Sequence, residues 1–189
     1  PILLNYVTHP YYDIRATALC TLAKLSLRAD ENTANTVNKI ISEAINDSTQ
    51  NTLCMKLCIT DQLVRLHTMK YGAKALKKVY KTIKSNDPRV CSILIDILAH
   101  IASVLPKDVL QPTAAYGPHM LAVRNVLKGR INTIIYFLLT NISRAPKNEA
   151  AHLKILDIIA KFIPLILWQE AGSDLGQCLL ILKHFPDKP

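Results

Sequence analysis

Residues 1–25 read PILLNYVTHPYYDIRATALCTLAKL, a short apolar run, a proline-containing break and a longer apolar run. The second run places Ala18, Leu22 and Leu25 at helical spacing, so it predicts a helix over 11–27 with one packing face. The first predicts a helix over 2–8, and Thr8-His9-Pro10 joins the two, with proline where only the first turn of a helix tolerates it. The same kind of junction recurs as Asn46-Asp47-Ser48 and Asn86-Asp87-Pro88. The spacings are 38 residues from Thr8 to Asn46 and 40 from Asn46 to Asn86. Further helices are predicted over 31–46, 50–68, 70–85, 89–104, 118–128, 130–144, 148–169 and 173–184. No stretch sustains strand-like alternation.

A unit of about 40 residues built as helix, short turn and helix resembles the HEAT and armadillo repeat family. Pro1–Leu25 carries the resemblance best, with the apolar-plus-arginine pair Ile14-Arg15 after the turn. Ile40–Leu66, IISEAINDSTQNTLCMKLCITDQLVRL, repeats the layout with Leu53-Cys54 in place of that pair. Lys81–Val104 has a shorter turn and again lacks the arginine, and Ile131–Ile166 keeps a turn at Ala145-Pro146-Lys147. The missing arginines depart from the Asp–Arg ladder that links repeats in the family.

The resemblance implies an all-α fold, a right-handed α–α superhelix of four to five helical hairpins forming a single domain over 1–189. The repeats would run over 1–28, 30–68, 70–104 and 118–169, with a partial one at 173–185 and an irregular insert at 105–117. The second helices, 11–27, 50–68, 89–104 and 148–169, would line the concave surface. A compact all-α bundle of the same helices is the alternative.

Composition narrows the function classes. Only five glycines occur in 189 residues, which disfavours turn-rich β folds and glycine-rich phosphate loops. The five cysteines, Cys20, Cys54, Cys58, Cys91 and Cys178, are scattered within apolar helical patterns. They read as reduced core thiols of a nuclear or cytoplasmic protein rather than a disulfide framework. Cys54 and Cys58 share a helix face, but without further ligands nearby they do not make a zinc set. The uncharged run 131–143 falls short of the roughly 18 residues that suggest a membrane span, so no membrane insertion is expected. The chain ends read as those of a segment cut from something longer.

A net charge of +9 suits an anionic partner without selecting one. Lys70, Lys74, Lys77, Lys78, Lys81 and Lys84 fall within roughly 120° of arc on the helix predicted over 70–85. Leu76, Val79, Tyr80 and Ile83 take the opposite side, and Arg89 lies just beyond. Such a stripe fits nucleic acid, another polyanion or an acidic protein. A solvated convex face, with lysine stems covering apolar surface, would look the same. Arg124, Lys128 and Arg130, with Lys147, Lys154 and Lys161, read as ordinary helix surface, Asp157 pairing locally.

Ser92, Asp96, His100 and Ser103 form a polar line along the helix predicted over 89–104, suited to groove contact with a partner. Asp96 and His100 lack a third residue that would make them a catalytic or metal-binding group. The apolar segment Phe162–Trp168 contains Pro164 and is expected to bend and need cover from a following repeat or a partner. Trp168 is its candidate anchor. No nucleotide-binding or hydrolase motif is present. The reading is a non-catalytic scaffold segment that needs no cofactor and holds other proteins of a larger assembly. It is compatible with transport receptors, RNA-processing scaffolds, chromosome-organising factors or coat components. Val123–Leu139 bears a slight similarity to RNA-processing scaffolds of the symplekin type.

Overall fold

A computed structural model describes residues 2–47, 52–110, 115–144 and 148–166. The described residues form an all-α architecture of eight α-helices: α1 (Tyr12–Ser26), α2 (Glu31–Asn46), α3 (Leu53–Leu66), α4 (Thr68–Thr82), α5 (Pro88–Val104), α6 (Pro118–Leu127), α7 (Ile131–Arg144) and α8 (Glu149–Ile166). Most boundaries follow local chemistry. Asp30 accepts from the Thr33 amide and starts α2, Thr52 accepts from the Met55 amide and starts α3. Asp87 accepts from the Arg89 amide and starts α5, with Pro88 in its first turn. Gly129, at φ +75°, makes the corner between α6 and α7, a backbone conformation that costs other residues strain.

Three expectations are corrected. The helix predicted over 2–8 is a 3-10 turn at Ile2–Tyr6 with no buried residue, too short to sustain α-helical hydrogen bonding. The break predicted near 69 falls at His67, an extended residue that ends α3 and also caps α4, its Nδ1 accepting from the Lys70 amide at 3.2 Å. And α4 stops at Thr82, so Lys84 lies in the turn beyond it rather than on its face. The partial repeat at 173–185, Cys178 and Trp168 lie outside the described residues.

Packing is partly non-sequential. α1 packs on α2 and α3, α3 on α4 and α5, α5 on α4 and α8, and α7 on α8. α1, α3, α5 and α8 are therefore linked as successive neighbours. α6 instead crosses to α4, where Gly72 permits close approach: a Cβ there would stand 3.3 Å from the Val123 methyl. The described parts of the predicted insert, 105–110 and 115–117, are anchored. Val109 and Leu110 are buried, and the Tyr116 hydroxyl donates to Asp108.

One apolar core runs through the helices, with Leu19, Leu57, Leu94, Leu98, Ile134 and Phe162 among its fully buried side chains. Each contributes about 1.5–3 kcal/mol by burial. α8 runs through Pro164 to Ile166, and Leu165 and Ile166 are buried as part of the same core cluster.

Arg15 sets the first corner. It is buried, and its Nη1 donates to the carbonyls of His9 at 2.6 Å and Pro10 at 2.8 Å, while Nη2 lies 3.9 Å from the Met55 sulfur of α3. The residue that carries the repeat resemblance thus closes its own turn and touches the next helix pair.

Candidate functional site

The lysine stripe divides in two. Lys70, Lys74 and Lys78, spaced four residues apart, lean onto neighbouring helices. Lys70 Nζ lies 3.4 Å from Ser26 Oγ of α1, Lys74 Nζ 3.3 Å from Ser42 Oγ of α2, and Lys78 Nζ 3.3 Å from Thr60 Oγ1 of α3. Lys77, Lys81 and Lys84 are exposed away from these contacts. An arc of 120° is wide enough for one edge to enter the seam beside α3 while the rest stays in solvent. Among the described residues, none of these six lysines has a carboxylate oxygen within 4.0 Å. Arg89 is on α5, and its guanidinium is paired with Asp87 at 3.3 Å, so its charge is already matched.

Burial and crowding act on the inner edge. Lys70 is held below the ordinary lysine range by burial and then by Lys74. Lys78 is lowered further, to about 8, first by burial and then by Lys56, Lys74 and Lys81. Lys56, on α3, donates to the Asn46 carbonyl at 3.2 Å. Around these residues α2, α3 and α4 enclose a cleft of about 80 Å³.

The polar line on α5 bridges to both neighbours in the row. Asp96 is ion-paired with Lys154 of α8. His100 Nε2 lies 3.9 Å from Asp61 Oδ1 of α3, an electrostatic contact longer than a hydrogen bond. Asp61 in turn accepts from Arg65 Nε at 2.8 Å. Its carboxyl is pushed above the usual range by burial, with Arg65 and His100 opposing and Asp96 adding to the rise. Ser103 is exposed and donates to the His100 carbonyl at 2.7 Å, and Ser92 is exposed on the wall of a larger cleft. That cleft, about 340 Å³ between α5, α7 and α8, is also lined by Asp96, Arg144 and Lys154. Asp96 and His100 therefore face different helices and do not orient one another.

Asp61, Arg65 and Lys56 belong to these clusters although the sequence did not single them out. Asp61 and Arg65 carried a signal, an acid four residues before a base on one helix. Lys161 and Asp157 pair at 2.6 Å as their spacing suggests.

The thiols are dispersed. Cys91 is buried, whereas Cys20, Cys54 and Cys58 are only half-buried, which corrects their reading as full core residues. Cys20 Sγ lies 3.1 Å from Gln62 Oε1 of α3. Among the described residues no three His, Cys, Asp or Glu side chains come together as a metal set. No helix among them is long and apolar enough to cross a membrane. The chain matches no protein-family model, no curated protein and no solved structure.

Proposed function

We propose that the chain is a HEAT-like α–α solenoid segment, a non-catalytic scaffold that holds other proteins within a nuclear or cytoplasmic assembly. The observation that supports this most is the linked row α1, α3, α5 and α8, in which each member packs on the next, and α3, α5 and α8 each follow a partner helix. Stacked two-helix units bury what a single unit cannot, and leave one long surface for partners. By the repeat resemblance that surface is lined by the row. The strip Arg65, Asp61, His100, Asp96 and Lys154 then crosses it, offering charged groups of both signs held by neighbouring helices. At the two ends of the row, Ile14 of α1 and Leu153, Leu156 and Ile163 of α8 are exposed apolar residues suited to further packing.

Two measurements test the reading. Solution scattering distinguishes an elongated array from a compact fold, for which this length implies a radius of gyration of about 16 Å; a value at or below that argues against the array. Affinity capture with Asp96→Arg and His100→Ala variants tests the strip. Recovered partners should fall away in these variants and persist in Lys77→Glu/Lys81→Glu, and unchanged recovery in the first pair discards the strip as the contact surface.

A second reading, binding of nucleic acid or another polyanion by the basic face of α4, is favoured by the exposed lysines without carboxylate partners. It requires affinity that falls steeply with salt and that Lys77→Glu/Lys81→Glu abolishes.

A further inference from the structure

The cleft between α2, α3 and α4 differs from the exposed lysine face. Ile41, Ile45, Leu63 and Ala75 give it an apolar floor, while Lys74 and Lys78 stand in its wall beside the hydroxyls of Ser42 and Thr60. Lys56 reaches the Asn46 carbonyl at its end. Among the described residues, no acidic side chain lines it. Asn38, also in the wall, has a buried Oδ1 with no hydrogen-bond partner.

Lys78 is half-buried and Lys74 exposed at the mouth, and these ammonium groups, held beside neutral hydroxyls and close to one another, have no carboxylate partner among the described residues. The arrangement supplies two cations with a third nearby, and the Ser42 hydroxyl as a rotatable donor, around a small space; the Thr60 hydroxyl already donates to the Lys56 carbonyl at 2.7 Å. A cleft of about 80 Å³ admits on the order of five water-sized groups, the heavy-atom count of one phosphate. A carboxylate would cancel one charge, whereas a phosphate monoester brings nearly two at neutral pH and three acceptor oxygens.

We propose that the α2–α3–α4 cleft binds a single phosphate group of the monoester type, held by Lys74 and Lys78 with the Ser42 hydroxyl, and steadied by the charge of Lys56. A nucleic-acid backbone fits the site less well. Lys77 and Lys81, which would have to continue its track, are on the exposed side, and Tyr71, the aromatic ring among the described residues at the cleft, is buried. The site is independent of the scaffold reading.

The test uses the whole 189-residue chain and inorganic phosphate, followed by calorimetry. Saturable binding to one site is expected. Lys78→Met and Lys74→Met, which keep the aliphatic stems, should each weaken it by about tenfold or more, as loss of a charge-assisted contact does. Lys81→Met should change it by less than about twofold. Thermal melts confirm that the variants are folded. Absence of saturable binding, or equal losses in Lys78→Met and Lys81→Met, overturns the proposal. A serine-phosphorylated peptide that displaces phosphate and binds more tightly assigns a peptide-borne group; one that binds no better assigns a free phosphate compound. Both retain the site. An RNA oligonucleotide that displaces phosphate, and whose binding falls equally in Lys77→Met, Lys78→Met and Lys81→Met, overturns it in favour of a continuous polyanion face.

Discussion

Asp96 of α5 and Lys154 of α8 form an ion pair across 58 residues of sequence. The pair ties two members of the helix row that the chain separates by α6 and α7. Both side chains keep partial access to solvent, so its contribution is about 0.5–1 kcal/mol. Asp96→Lys should lose that amount in urea unfolding, and Asp96→Lys/Lys154→Asp should regain most of it. A double variant no better than the single one would show that the charges do not interact.

Lys78 makes stability depend on pH in an uncommon direction. Its folded value is about 8 against an ordinary 10.5. Below about pH 8 both folded and unfolded chains hold the proton, and the unfavourable buried charge is fully present. Between about 8 and 10.5 the folded chain has shed a proton that the unfolded chain still binds, so stability rises with pH. The full shift corresponds to about 3 kcal/mol, which solvent access to the ammonium reduces to about 1–2. Lys78→Met should therefore be more stable than the natural chain by about 1–2 kcal/mol at pH 7, with the gap closing by about pH 10. Equal gaps at both pH values, in paired urea titrations, would contradict this origin.

Gly72 sets how closely α4 and α6 approach. Gly72→Ala adds a carbon 3.3 Å from the Val123 methyl, a small overlap set against a helix-propensity gain of about 1 kcal/mol. The two should nearly cancel. Gly72→Val forces further methyls into the same contact and should destabilise by about 1–3 kcal/mol. At this size that lowers the melting temperature by about 2–4 °C per kcal/mol. A Gly72→Val protein melting with the natural one would mean that the two helices are not tightly apposed.

Arg15→Met should destabilise by about 2–3 kcal/mol, because the His9 and Pro10 carbonyls lose a charged donor inside the corner. Arg15→Lys, whose single ammonium cannot span both carbonyls in the same fork, should recover only part. Hydrogen exchange should show the loss concentrated near the start of α1 rather than in α5 or α8. Uniform loss across the chain would place the role of Arg15 elsewhere.

The helices were legible because their punctuation is local: Asp30, Asp87 and Pro88 mark starts that need only a side-chain acceptor or a fixed φ. His67 was not legible as a boundary, since a histidine cap is rare and no proline or glycine accompanies it. The lysines of α4 were visible as a face, but which of them turn inward depends on where α2 and α3 lie, and helical periodicity carries nothing about that. Asp61 shows the same limit. Its pairing with Arg65 is written in a four-residue spacing, while its contact with His100 follows only from the packing of α3 on α5. Arg15 stood out by family resemblance, yet its work on the turn carbonyls required the corner itself.

The crossing of α6 onto α4, while α5 reaches past it to α8, interlocks the second half of the molecule. In a plain array each unit leans only on its neighbours and can peel from an end. Here removing α8 strips cover from α5, and removing α6 strips it from α4, which itself supports α5. The segment from α3 to α8 should consequently melt as one cooperative block, leaving α1 and α2 as the part that can open alone.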